Sequence, residues 1–161
     1  MTHIHKKYAK LLIEYCLFIK PGDKLFINTS TLAEPLVKEV YRHAIMAGAH
    51  VDINMSFADQ HRIFMEEASD EQLQYINPLS KYKMEHYDAY LVIRAPFNLK
   101  ENQNINRDRE KIKSLASKSI NEAYFRRTAS GEMKRSLCQF PTQASAQEAN
   151  MSLEEYQNFV Y

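Results

Sequence analysis

Residues 21–55 constrain the fold more than any other stretch, because they spell a β-α-β unit without interruption. Pro21-Gly22 signals a turn. Lys24–Asn28 then carries Leu25, Phe26 and Ile27 in an unbroken apolar run, as a strand covered on both faces of a parallel sheet does. Thr31 with Glu34 predicts a capping box, Pro35 falls in the first turn, and Gly48 suits a left-handed cap, so a helix is expected from about Leu32 to Ala47. Leu36, Val37, Val40, Tyr41, Ala44 and Ile45 recur at helical spacing as its inward stripe, leaving Lys38, Glu39, Arg42 and His43 to solvent. In His50–Met55, Val51, Ile53 and Met55 alternate with Asp52 and Asn54, the pattern of a strand near a sheet margin. A right-handed crossover joins the two strands.

The rest of the chain supplies the partners of this unit. His3–Phe18 reads as an amphipathic helix with Tyr8, Leu11, Leu12, Tyr15 and Phe18 on one face. Ala58–Ala68 is expected to be a helix turning Ile63 and Phe64 inward. Ser69 and Gln72 box the start of another, closed by Pro78, and a short helix follows over Ser80–His86. Ala89–Ile93 is a second unbroken apolar run, hence a second central strand beside Lys24–Asn28, with His50–Met55 outside the first. After the polar loop Asn98–Asn106, one helix carries Ile112, Leu115, Ala116, Ile120, Ala123 and Tyr124 inward. Gly131-Glu132 turns into a strand near Lys134–Phe140, a short helix ends at Asn150, and Ser152 with Glu155 caps a last helix bearing Leu153, Tyr156, Phe159 and Val160. The expected fold is therefore a single α/β domain over 1–161. It is a three-layer, Rossmann-like or flavodoxin-like arrangement around a mostly parallel sheet of four or five strands.

Several function classes are excluded or disfavoured by what the sequence lacks. The turn after the first strand, Asn28-Thr29-Ser30-Thr31-Leu32, holds no glycine, and Gly22, Gly48 and Gly131 are the only three in the chain, so neither a dinucleotide fingerprint nor a P-loop is present. The six histidines fall into no metal-ligating spacing. His61 with Glu66 and Glu67 is the nearest cluster, and it reads as solvated surface. No residue is assigned to catalysis or metal binding. A net charge of +1 gives no basis for nucleic acid as the main partner. The seven Lys or Arg of 107–127 alternate with acids around an apolar stripe, as on a solvated helix face. Pro21 ends the first apolar run too early for a membrane span, and Cys16 and Cys138 read as reduced thiols in apolar surroundings, so a cytoplasmic location is expected.

The order of short segments is more specific. Lys7-Tyr8-Ala9-Lys10-Leu11-Leu12, Lys20-Pro21-Gly22-Asp23, Ala47-Gly48-Ala49, Phe140-Pro141-Thr142 and the run Ala146–Tyr156 together resemble the N-terminal domain of the thermophilic-type metalloaminopeptidases, the family of leucyl aminopeptidase and aminopeptidase T. Asn150 stands where that family usually has glycine, and a tryptophan common before the Phe-Pro-Thr segment is missing. The resemblance implies a cytoplasmic, usually homodimeric exopeptidase that removes N-terminal residues from peptides. It also implies two divalent metal ions, zinc, cobalt or similar, held by a C-terminal catalytic domain that this chain lacks. The chain would then be the N-terminal part of a two-domain protein, cut at Tyr161, which covers the cleft and supports the dimer. The alternative is a self-sufficient, flavodoxin-like small-ligand-binding module without catalytic activity. It would use the crevice at the carboxyl ends of the strands, with Thr29, Ser30 and Arg94 as cleft candidates.

Overall fold

A computed structural model of the chain describes residues 2–161. Four strands form one sheet in the order β2-β1-β3-β4, with β1 Lys24–Ser30, β2 His50–Ser56, β3 Ala89–Arg94 and β4 Lys134–Gln139. Every pairing is parallel. The two unbroken apolar runs lie side by side at the centre, Leu25 opposite Ala89 and Ile27 opposite Leu91, and the alternating strand lies outside, Leu25 opposite Val51. That order follows from burial. A strand covered on both faces cannot afford polar side chains on either, whereas an edge strand can.

The two faces of the sheet are covered differently. On one, Leu25, Ile27, Leu91, Ile93 and Cys138 meet α1 (Thr2–Lys10), the π-helical turn Leu11–Cys16 that continues it, and α2 (Glu34–Met46). On the other, Phe26 and Tyr90 stack with ring centroids 5.3 Å apart and join Met84 of α5 (Pro78–His86), Ala123 of α7 (Lys118–Ser130) and Met133. Away from the sheet, α3 (Gln60–Glu67), α4 (Asp70–Gln74) and α6 (Arg107–Ala116) enclose a smaller cluster of Met65, Ala68, Leu73 and Ile105. The chain ends through α8 (Gln143–Glu148) and α9 (Leu153–Val160).

Turn chemistry fixes the β-α-β unit. The Gly22 N–H donates to the Gly48 carbonyl at 2.9 Å and the His50 N–H to Asp23 at 2.8 Å, so the entrance of β1 and the exit of α2 are tied together. Gly48 has φ +84°, and a Cβ there would lie 3.0 Å from Pro21 Cα, so both the backbone conformation and the contact require glycine. Asn150 takes the left-handed conformation, φ 55°, and closes α8. Both capping boxes at Ser69/Gln72 and Ser152/Glu155 form with their two reciprocal hydrogen bonds.

Several expectations fail for stated reasons. Thr31 makes no side-chain cap: β1 runs on to Ser30, the chain tightens into a 3-10 turn over Thr31–Ala33, and α2 begins at Glu34. Glu39 is 7 % exposed instead of solvated, while Tyr41 and Ile45 face outward, because α1 packs along the Glu39 flank of α2. One Glu39 oxygen lacks a hydrogen bond, with Arg42 Nε at 3.7 Å. In the first helix the π turn, where the Leu17 N–H reaches the Leu12 carbonyl at 2.9 Å, resets the register. Ala9, Leu12, Ile13 and Leu17 are buried, whereas Leu11 faces outward with Tyr15, 81 % exposed, and Phe18, 63 % exposed. Met65, not Ile63, is the buried residue of α3, which packs on α4 and α6 instead of the sheet. Pro78 opens α5, behind the Asn77 cap, instead of closing a helix. The helix after Asn106 breaks at Ser117, and Leu115 is exposed. Phe159, on the last helix, is 75 % exposed. Both cysteines are free, but only Cys138 is buried; Cys16 is exposed.

Candidate functional site

In a parallel sheet all strands end on the same edge, and loops leaving that edge can converge without crossing the core. Here β1 leads to α2 on one face and β3 lies on the other side of β1, so the edge opens between the ends of β1 and β3. A crevice of about 770 Å³ occupies that place. Its floor comes from the strand ends Asn28, Val92 and Gln139, and its walls from segments that follow the strands, among them Phe57, Phe97 and Tyr156. The volume suits a small molecule or a few residues of peptide.

All three cleft candidates line this crevice, and their chemistry differs. The Thr29 hydroxyl donates to the Ile93 carbonyl at 2.8 Å, and the Ser30 hydroxyl donates to the Ala95 carbonyl at 2.5 Å. Both side chains are buried, so these bonds tie the end of β1 to β3 where the backbone ladder has run out. They shape the crevice and have spent their protons. On the β2 side, where the ladder still pairs Ser30 with Ser56, the Ser56 hydroxyl adds a bond to the Thr29 carbonyl at 3.2 Å. Arg94 is exposed at the last position of β3, and among the described residues no hydrogen bond or ion pair holds its guanidinium.

The row beneath is polar as well. Asn54 donates its amide to Asn28 Oδ1 at 2.8 Å, and Asn28 donates to the Tyr90 hydroxyl at 3.4 Å. Two residues further from the edge, the Tyr87 hydroxyl donates to Asp52 at 2.7 Å and Lys83 Nζ lies 3.3 Å from the same carboxylate and 4.4 Å from the Phe26 ring centre. The hydrogen bond from Tyr87 and the charge of Lys83 hold the Asp52 carboxyl below its usual range, while burial and that carboxylate push the Tyr87 phenol up to about 12. This network joins the edge strand to α5.

His61 also lines the crevice, although its spacing to Glu66 and Glu67 reads as plain surface. The helix bearing it starts just after β2, and that position is the signal that would have found it: residues directly following a parallel strand face the common edge. Glu66 pairs with Arg62 at 3.2 Å instead. Asn28, Ser56, Asn98 and Gln139 were missed for the same reason.

Among the described residues no three His, Cys, Asp or Glu side chains converge as a metal-ligand group. No helix among the described residues is long and apolar enough to cross a membrane.

Comparison with known proteins gives two kinds of match. The sequence matches the thermophilic metalloprotease (M29) family over residues 2–161. Among solved structures, wild-type AmpT from Thermus thermophilus superposes with a TM-score of 0.76 at 14 % identity, covering 99 % of this chain and 42 % of that one. The chain thus spans less than half the length of that protein, and the likeness is one of fold. CurK enoyl reductase matches more loosely, with a TM-score of 0.37 at 11 % identity over 96 % of this chain and 57 % of that one. No curated protein sequence matches.

Proposed function

The chain belongs to the thermophilic metalloprotease (M29) family, and on that premise we propose that it is the N-terminal domain of a cytoplasmic metalloaminopeptidase acting on the free N-terminal residues of peptides. The observation that carries this reading is the family match over nearly every residue, 2–161. A metallopeptidase needs metal ions that activate a water and polarise the peptide carbonyl. The described residues bring together no ligand cluster that fits that group, so no step of hydrolysis is assigned to them. Their part is binding and shape. The strand-end crevice, held open by the Thr29 and Ser30 hydrogen bonds, forms one wall of the substrate chamber; this domain covers the cleft and supports the dimer, and metal ligation falls to a second domain.

The test compares the 161-residue chain with a longer protein that contains it and a second, His- and Glu-bearing domain. The longer protein is expected to hold about two divalent ions per chain, to release aryl amine from a leucine arylamide, and to lose that activity on chelation. The 161-residue chain is expected to retain no stoichiometric zinc or cobalt and to leave the arylamide intact. Metal-dependent turnover by the short chain would falsify this division of labour.

A further inference from the structure

We propose that Arg94 is the receptor for a carboxylate, and that the strand-end crevice takes the C-terminal end of a short peptide by it. The identity of the ligand rests on the peptidase reading; the recognition of a carboxylate rests on the site itself. The two helices α5 and α7 cover their face of the sheet only as far as the Phe26–Tyr90 row. Beyond it Asn28 pairs with Val92, and Arg94 follows on the same side of β3, so this row opens into the crevice instead of a helix.

Several other arginines of the chain are already engaged. Arg109 gives its guanidinium to the Met65 and Ala68 carbonyls, Arg127 to the Met84 carbonyl, and Arg62 to Asp59 and Glu66. Arg94 has no such partner among the described residues, and it is the only Lys or Arg on the crevice. A guanidinium presents paired N–H donors that match the two oxygens of a carboxylate. The side-chain amides of Asn28, Asn98 and Gln139 around it can meet the donors and acceptors of a peptide backbone, and Phe57, Phe97 and Tyr156 can take its apolar side chains.

Charge narrows the choice of anion. Glu101 and Glu148 stand on the same crevice, so one arginine faces two carboxylates there. A singly charged carboxylate meets the same one attraction and two repulsions as a dianion such as phosphate, but at half the strength, so the surplus of negative charge weighs less on it when the arginine fork holds it. The missing glycine-rich turn after β1 argues the same way, since no cradle of backbone N–H groups is built for a phosphate.

The probe is N-acetyl-glycylglycine, whose blocked amine prevents its hydrolysis, set against its C-terminal amide. Both are titrated into the isotopically labelled chain and followed by the Arg94 side-chain Nε–H signal and the backbone amides of residues 92–98. The acid is expected to bind about tenfold more tightly than the amide, to move the Arg94 signal, and to lose that advantage in Arg94→Gln while keeping part of it in Arg94→Lys. Equal affinity for acid and amide, no binding of either, inorganic phosphate binding as tightly as the acid, or an unchanged preference in Arg94→Gln would each overturn the proposal. The peptidase reading fails separately: an inert longer protein alongside a retained acid preference removes the peptidase and leaves the carboxylate site.

Discussion

Single residues carry most of the tertiary ties at the edge of the sheet opposite the crevice. Asp23 accepts from the Lys20 N–H at 2.8 Å and from Lys134 Nζ at 2.5 Å, and Lys134 also donates to the Phe18 carbonyl at 3.1 Å, so one carboxylate joins the first turn, the end of the first helix and β4. Burial alone would raise the Asp23 pKa, but the Lys134 and Lys20 hydrogen bonds outweigh it and hold the carboxyl below its ordinary value. A carboxyl depressed in the folded state favours folding above its unfolded pKa of about 3.9, and that contribution disappears as pH falls through the folded value. Asp23→Asn is therefore expected to cost about 1.5–3 kcal/mol at neutral pH. Urea unfolding followed between neutral and acid pH checks this: the difference between wild type and variant should shrink below about pH 4. Pro21-Gly22-Asp23 is legible in the sequence as a turn, but the partner of Asp23 lies 111 residues away, and no local pattern announces Lys134. Thr29, Ser30 and Arg94 illustrate the same limit. Their position at strand ends follows from the apolar runs, while the division between two spent hydroxyls and one free guanidinium depends on which carbonyls β3 offers.

At the scale of elements, three of the seven basic residues of 107–127 serve as helix caps. Arg109 on α6 caps the last carbonyls of α3, the Arg127 guanidinium bonds the Met84 carbonyl near the end of α5 at 3.0 Å, and Lys113 Nζ reaches the Tyr75 carbonyl at 3.2 Å. A helix C-terminus bears partial negative charge and unsatisfied carbonyls, so a buried cation there meets both needs. Arg127 also lies 3.4 Å from Glu132. Arg127→Met is expected to lose about 1.5–3 kcal/mol, from the orphaned carbonyl and the lost charge pairing. Arg126→Met, at an exposed neighbouring position, should stay within about 0.5 kcal/mol of wild type. Thermal unfolding of the two variants side by side decides it, and equal losses would show that charge alone matters there. The elements themselves were legible where pattern and cap agreed, as at Ser69, Asn106, Asn150 and Ser152. They were misread where a neighbouring helix decided the buried arc, as on α2, and where a π turn shifted the register after Lys10. Hydrophobic period reports how many faces a helix hides, but not which neighbour hides them.

Taken whole, the molecule has a large sheet core and a small outlying one. The α3-α4-α6 cluster holds four buried apolar side chains and is fastened chiefly by Arg109, whereas the main core spans the sheet. Apolar burial sets most of the cost of opening a region, so the outlying unit is expected to open at lower free energy than the sheet. Native-state hydrogen exchange should find the amides of Leu73 and Ile112 exchanging by local opening, and those of Ile27 and Leu91 only by global unfolding. A common exchange free energy for all four would show a single cooperative unit. The parallel arrangement of all four strands has a consequence for how such a chain can change over time. Two of its fastenings, Pro21 against Gly48 and Asp23 against Lys134, lie at the amino ends of the strands, while the crevice lies at the carboxyl ends, where the Thr29 and Ser30 hydroxyls supply the ties. Mutations at exposed positions of the crevice loops, such as Asn98 and Leu99 after β3, can therefore be sampled by drift with little penalty to folding, and a lineage can retune what enters the crevice while inheriting the same scaffold.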